Sequence, residues 1–149
     1  MTEIRFYHLE RTELEQVLPQ LVTKALSADH RIIVKTSNEQ ETQRLNTHLW
    51  TYNPNSFLPH GTKKEGNPKD QPVWITAEDE NPNNADMLIL THDQNIPDNQ
   101  EFALICYIFD GSNSEILSKA RARWKTLKNA DANLSYWQQS PQGCWEKKA

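Results

Sequence analysis

The clearest pattern of residues able to do chemistry is a cationic stripe near the end of the chain. Arg121, Trp124, Lys125 and Lys128 are spaced i, i+3, i+4 and i+7, so a helix would place them on one stripe. A guanidinium and ammonium groups beside an apolar ledge suit a peptide that ends in an aromatic residue and a carboxylate. The alternative is a solvated basic face with Trp124 in the core. The residues alone favour that alternative, because most charge runs are only surface.

A second aromatic cluster begins where a predicted helix ends. Trp50 closes the helix, and Phe57, Leu58 and Pro59 follow a polar turn. Neighbouring exposed aromatic residues mark protein interfaces, where tryptophan is a common hot-spot residue. Burial of both aromatic rings in the core is equally compatible with the pattern.

Other kinds of site have little support in the sequence. The turn after the first predicted strand reads HLERTE, without the glycines that bring backbone N–H groups close to a phosphate. The five histidines have no metal-ligand spacing. Asp86, Asp93 and Asp110 flank strands and could form a catalytic carboxylate cluster, but aspartates at strand ends usually form caps and turns. We therefore expect no catalytic centre, no metal and no cofactor.

The elements that must position these residues alternate between strands and helices. Short apolar runs predict strands at 4–8, 31–35, 73–76, 87–90 and 102–109, and 57–60 reads as a short extended segment. Three-and-four spacing predicts a helix after Thr12, in which Pro19 should either cause a kink or mark the effective first turn. A second helix is predicted from Ser37 or Asn38 to about Trp50, and a third from Ser112 or Ser114 to about 130. Loops are predicted at 61–72 and 78–84. Two aromatic segments around a Pro/Gly turn predict a hairpin at 136–149.

This order predicts an α/β fold: a Rossmann-like three-layer sandwich, with a mostly parallel sheet and helices on both faces. A chain of 149 residues is long enough for one domain, so we expect a single domain over residues 1–149. The formal charge of −4 gives no overall attraction to nucleic acid or to an anionic membrane. The absence of a signal peptide, of a long apolar run and of a CxxC pair predicts a cytoplasmic protein.

Five segments of the chain resemble one protein family. They are FYHL at 6–9, LWTYNPNSFLPHG at 49–61, ARARWK at 120–125, YWQQ at 136–139 and WEKKA at 145–149. Together they resemble the chi subunit of bacterial DNA polymerase III, and the match follows the whole chain in order. The LW…SFLPHG block is the most specific segment, and shorter family members lack the terminal hairpin.

The resemblance implies a non-catalytic replisome subunit with two partners. The psi subunit would tether it to the clamp loader through Trp50, Phe57, Leu58 and Pro59. The same surface would be open to a helicase partner, as in some relatives. The acidic C-terminal tail of single-stranded-DNA-binding protein would bind the stripe of Arg121, Trp124, Lys125 and Lys128. The family often has tyrosine at the position of Trp124, and some members have arginine at that of Lys128. Lysine there gives up bidentate carboxylate geometry.

Two other classes of protein are weaker alternatives. Direct binding of single-stranded DNA is opposed by the net charge and by the lack of a recognisable aromatic and basic groove along a sheet, so DNA contact should be mainly indirect. An enzyme of Rossmann-like fold would need a reactive pocket at the carboxyl ends of the strands.

Overall fold

A computed structural model describes residues 2–10, 13–51, 60–64, 66–91, 102–140 and 145–149. The described strands are β1 (Glu3–Leu9), β2 (Ile32–Lys35), β3 (Val73–Thr76), β4 (Met87–Leu90), β5 (Leu104–Asp110), β6 (Asn133–Gln139) and β7 (Trp145–Lys147). The described helices are α1 (Leu14–Ser27), α2 (Glu39–Thr51) and α3 (Ser114–Asn129), with a short 3₁₀ helix at Pro68–Asp70.

The described strands form one sheet in the order β3-β2-β4-β5-β1-β6-β7. All neighbouring strands are parallel except β6 and β7, so the predicted α/β fold with a mostly parallel sheet is confirmed. Strand β1 lies between β5 and β6, where Phe6 pairs with Tyr107 on one side and with Tyr136 on the other. Residues distant in the sequence therefore meet in the middle of the sheet.

Each face of the sheet has its own apolar core. Helices α1 and α2 pack on the first face, which carries Tyr7 and Cys106. Helix α3 packs on the second face, which carries Phe6, Tyr107 and Phe109. Side chains alternate between faces along a strand, which explains why neighbours such as Phe6 and Tyr7 belong to different cores.

The helices begin at caps that the sequence analysis identified only in part. Asn38 was one of two predicted caps for α2, and its side chain accepts the Glu41 N–H at 2.9 Å. Helix α1 is capped by Glu13, whose N–H donates to Gln16 Oε1 at 3.0 Å, and not by Thr12, which lies outside the described residues. Helix α3 is capped by Asn113, and not by Ser112 or Ser114. Such side chains satisfy amide groups that a helix leaves unpaired in its first turn.

Pro19 lies inside α1 without ending the helix. Proline has no N–H, so it leaves the carbonyl four residues earlier, that of Glu15, without its helical donor. The Nε2 atom of His48 on α2 lies 2.6 Å from that carbonyl oxygen. The Glu15 side chain also pairs with Arg44 of α2. The proline thus creates an acceptor that fastens α1 to α2.

The C-terminal segment extends the sheet further than expected. The predicted hairpin is present, because β6 pairs antiparallel with β7. Its first strand starts at Asn133, three residues before the predicted boundary, and also pairs with β1.

The predicted loop at 61–72 contains the 3₁₀ helix and a bridge from Gly61 to Trp74. Of the extended segment predicted at 57–60, only His60 is among the described residues.

Candidate functional site

Helix α3 presents the predicted cationic stripe to solvent. Arg121, Lys125 and Lys128 are exposed, and Trp124 is half-buried. The Trp124 ring makes T-shaped contacts with Phe6, at a centroid distance of 5.3 Å, and with Tyr136, at 5.5 Å. Trp124 therefore packs partly in the core and lies partly at the surface. T-shaped contacts place the edge of one aromatic ring on the face of another, and two of them hold the Trp124 ring in a fixed orientation.

A cleft of about 460 Å³, called here the α3-side cleft, opens beneath this helix. Its lining residues come from α3, from the carboxyl ends of β1, β5 and β6, and from the segment after β7: His8, Glu10, Gly111, Leu117, Arg121, Trp124, Tyr136, Gln138 and Ala149. The structure thus brings Arg121 and Trp124 together at the cleft. Lys125 and Lys128 lie outside the lining, farther along the exposed helix.

The floor of the α3-side cleft contains His8, which is buried. Its Nδ1 atom lies 2.6 Å from the Tyr136 hydroxyl, and its Nε2 atom lies 3.4 Å from Glu10 Oε1. Nε2 has no hydrogen-bond partner within the described part of the chain. A Cβ atom on Gly111 would fall 1.8 Å from Nε2, so only glycine allows this loop to approach the ring. Glycine, histidine and tyrosine together set the shape of the floor.

Burial lowers the pKa of His8 below its ordinary value of 6.5. Among the charged neighbours, Glu10 and Asp110 oppose this change in pKa and Arg121 adds to it. The imidazole is therefore neutral at neutral pH, and the positive charge at the cleft comes from α3. Burial disfavours the protonated, charged imidazole of His8. Uptake of a proton is therefore easier in the unfolded chain, and low pH lowers the stability of the folded one.

We expect the protein to lose stability as the pH falls below about 6.5. The unfolded chain takes up a proton on His8 in this range, whereas the folded chain takes it up only at lower pH. The full stability is thus present at a pH above the pKa of His8 in the unfolded chain. It declines as the pH falls and stops declining below the pKa of His8 in the folded chain. Denaturant unfolding of wild type and His8→Leu at pH 7.5, 6.5 and 5.5 measures this effect. Parallel pH slopes in the two proteins would contradict it.

The second predicted interface is only partly described. Trp50 lies in the last turn of α2 and is 44% exposed, and its ring centroid is 4.3 Å from that of His60. Phe57, Leu58 and Pro59 lie outside the described residues. Trp50 belongs to a helix on the first face of the sheet, whereas the α3-side cleft lies on the second.

Two of the three strand-flanking aspartates, Asp86 and Asp110, make local structural contacts. Asp86 accepts from the Arg31 N–H at 2.8 Å and lies 2.7 Å from His30 Nδ1. Asp110 accepts from the Ser112 N–H at 3.0 Å, as expected for a turn. Asp93 lies outside the described residues.

In the described ranges, no three His, Cys, Asp or Glu side chains come together as a metal-binding group. No described helix has the length and hydropathy needed to cross a bilayer.

Fold and site together define an α/β protein with an aromatic and cationic surface cleft. The family model "DNA polymerase III chi subunit, HolC" matches residues 1–135, and the chain belongs to that family. A Rickettsia prowazekii (strain Madrid E) protein named "Probable DNA polymerase III subunit chi" is 32% identical over 90 residues, 60% of this chain and 54% of the relative. The chain thus spans about half the length of that relative. The DNA polymerase III subunit chi of Haemophilus influenzae (strain ATCC 51907 / DSM 11121 / KW20 / Rd) is 22% identical over 122 residues, 82% of this chain and 85% of the relative.

Proposed function

We propose that this protein is a non-catalytic accessory subunit of the DNA polymerase III holoenzyme in DNA replication. It would bridge the clamp loader, through a psi subunit, to the C-terminal tail of single-stranded-DNA-binding protein. Residues 1–149 would form one chi-type domain in the cytoplasm, at the replisome. Membership of the chi family supports the accessory role. Helices on both sheet faces support assignment to the Rossmann-like three-layer sandwiches.

The observation that carries the tail-binding proposal is the pairing of Arg121 with Trp124 at the α3-side cleft. The exposed guanidinium can hold a peptide carboxylate with two parallel hydrogen bonds. The half-buried indole offers an apolar wall for the aromatic side chain beside that carboxylate. A cleft of about 460 Å³ is large enough for such a residue.

Lys125 and Lys128 would act on the tail at longer range. Both are exposed on α3 beyond the cleft, and neither ammonium group forms an ion pair with another described residue. Cations at such positions speed encounter with an acidic segment and make its binding sensitive to salt. We therefore assign the main contacts to Arg121 and Trp124, and steering to the two lysines. Weak binding of each tail is offset by the many tails presented on one coated strand.

Trp50 supports a separate psi-binding surface. A tryptophan that is 44% exposed beside His60 has the character of an interface anchor. Phe57, Leu58 and Pro59 follow it in sequence and complete the proposed surface. Because α2 and α3 cover opposite faces of the sheet, a partner on each need not exclude the other. A helicase is an alternative partner for the Trp50 surface, and competition between psi and the helicase would show that they share it.

The test is a two-partner titration of the full chain. We expect Arg121→Ala to weaken binding of an acidic, phenylalanine-ending peptide roughly tenfold or more, because a charge-assisted hydrogen bond is lost. Trp50→Ala should weaken psi binding by a factor of roughly 30, the loss expected of a hot-spot tryptophan. Each variant should keep the affinity of wild type for the other partner. Calorimetry or fluorescence anisotropy measures both constants.

The matched control is Lys119→Ala, which removes a cation from the same helix outside the cleft lining. It should bind the peptide within about twofold of wild type, as expected for a screened surface charge. Equal peptide affinities of wild type and Arg121→Ala would exclude the tail site. Retained psi binding by Trp50→Ala would exclude the second surface.

A further inference from the structure

The first face of the sheet carries another cleft, about 440 Å³ in volume, which we call the α1-side cleft. Helix α1 forms one wall through Leu21 and Lys24, and the β6–β7 hairpin forms the other through Trp137 and Trp145. Arg5 and Tyr7 of β1 lie between the walls. It is separate from the α3-side cleft, which lies on the opposite face.

Three aromatic rings, those of Tyr7, Trp137 and Trp145, are grouped where β1 meets the hairpin wall of the α1-side cleft. Tyr7 and Trp137 are register partners on adjacent strands, with centroids 6.4 Å apart and planes inclined by 21°. Trp145 meets Tyr7 edge-on at 5.1 Å. Both indoles are half-buried, so part of each ring is accessible to a ligand. Flat apolar surfaces of this kind stack with nucleobases of any sequence.

The charges around the rings are mainly positive, although the chain as a whole carries −4. Lys24 is exposed on the α1 wall. Lys147 is exposed on β7 directly opposite Trp137, which places both side chains on the same face of the hairpin. Arg5 contributes a third cation and is paired with Glu3. Two lysines flanking an aromatic surface complement a polymer of bases and phosphates.

The sequence alone showed no aromatic and basic groove along a sheet, whereas the α1-side cleft places Trp137 and Trp145 beside Arg5 and Lys24. We propose that the α1-side cleft binds single-stranded DNA, with a base against Trp137 and Trp145 and the neighbouring phosphates near Lys24 and Lys147. The acidic tail peptide brings a single terminal aromatic side chain to its site, whereas a single strand carries a base at every nucleotide and can use the grouped rings together with the cations. Membership of a DNA polymerase subunit family makes DNA the strand to test.

The first experiment measures binding of a fluorescein-labelled 15-nucleotide oligo-dT to the full chain at low salt. We expect Lys24→Glu to weaken binding roughly tenfold, because one phosphate contact becomes repulsive. Lys64→Glu is the matched control, because it makes the same change in net charge at another exposed lysine. Lys64 lies shortly after Gly61, which pairs with Trp74 of β3 at the opposite edge of the sheet. This variant should change the affinity less than about twofold.

Equal affinities of Lys24→Glu and Lys64→Glu would overturn the proposal, as would the absence of oligo-dT binding by wild type. Tighter binding of oligo-U than of oligo-dT would overturn the assignment to DNA. Displacement of the oligonucleotide by the acidic peptide would place both ligands at one site and also overturn it. Lys24→Glu should bind that peptide as wild type does, so this test and the tail-binding test can fail separately.

A second pair of variants tests stacking independently of charge. Trp145 lies on the short outer strand, and we expect Trp145→Leu to weaken oligo-dT binding roughly tenfold through loss of base stacking. Trp145→Phe keeps an aromatic face and should stay within about threefold of wild type. Thermal melting identifies any variant that fails to fold. Equal losses in folded Leu and Phe variants would show that the ring does not stack on a base.

Discussion

Phe6→Ala should lower the free energy of unfolding by about 4 kcal/mol, the largest loss that we expect from a single side chain. Phe6 is completely buried in the second core, and its ring contacts those of Tyr107 at 5.1 Å and Trp124 at 5.3 Å. Truncation removes both contacts and leaves a cavity between β1 and α3. Denaturant unfolding with a shared m-value measures the loss.

The same variant connects the core to the α3-side cleft. Trp124 rests on Phe6, so the loss of Phe6 should also weaken binding of the acidic peptide, even though Phe6 does not line the cleft. Phe6→Leu is the volume-matched control and should cost roughly 1–1.5 kcal/mol, since most of the space stays filled. A loss of less than about 2 kcal/mol for Phe6→Ala would show that the core closes around the missing ring.

Gly111→Ala should destabilise the protein by about 3 kcal/mol, a large effect for one added methyl group. Its Cβ would overlap His8, whose ring is held by the Tyr136 hydroxyl and stands 5.2 Å from the ring of Phe109. Either the loop after β5 or the histidine must move, and both form part of the α3-side cleft. We expect peptide binding to fall together with stability.

A double-mutant cycle separates this clash from a general effect of alanine. In a His8→Ala background, Gly111→Ala should cost less than about 1 kcal/mol, because the obstructing ring is gone. Gly66→Ala provides a contrast: Gly66 has a φ of +73° and open space around its Cβ position, so backbone conformation alone sets a cost of about 1 kcal/mol. A fully retained cost in the His8→Ala background would disprove the clash.

The central strands were predictable because they are short and almost wholly apolar. Met87–Leu90 is buried at every position, and its hydrophobic run needs no knowledge of its neighbours. Strand β6 begins earlier than predicted because Asn133, Leu134 and Ser135 show no such run. Their strand conformation depends on pairing with β1, which lies more than a hundred residues away. Tertiary pairing decides the structure of such segments.

The residues of the candidate sites likewise fall into two groups: those that local sequence spacing predicts and those that only tertiary pairing brings together. Helical spacing alone brings Arg121 beside Trp124, so this half of the α3-side cleft was visible in the sequence. His8 and Tyr136 were missed because only the pairing of β1 with β6 brings them together. Gly111 is part of the Asp110-Gly111 turn signal after a predicted strand, but its role depends on where the His8 ring lies. Trp137 and Lys147 likewise become neighbours only through the hairpin register.

The hairpin also determines what the outer edge of the sheet offers to other molecules. Its last described strand, β7, has three residues, and Glu146 and Lys147 are both exposed and charged. A strand this short presents few open amide and carbonyl groups, and charges along it discourage docking by a strand from another chain. The hairpin therefore shields the longer β6 from edge-to-edge association and protects a largely parallel sheet from aggregation.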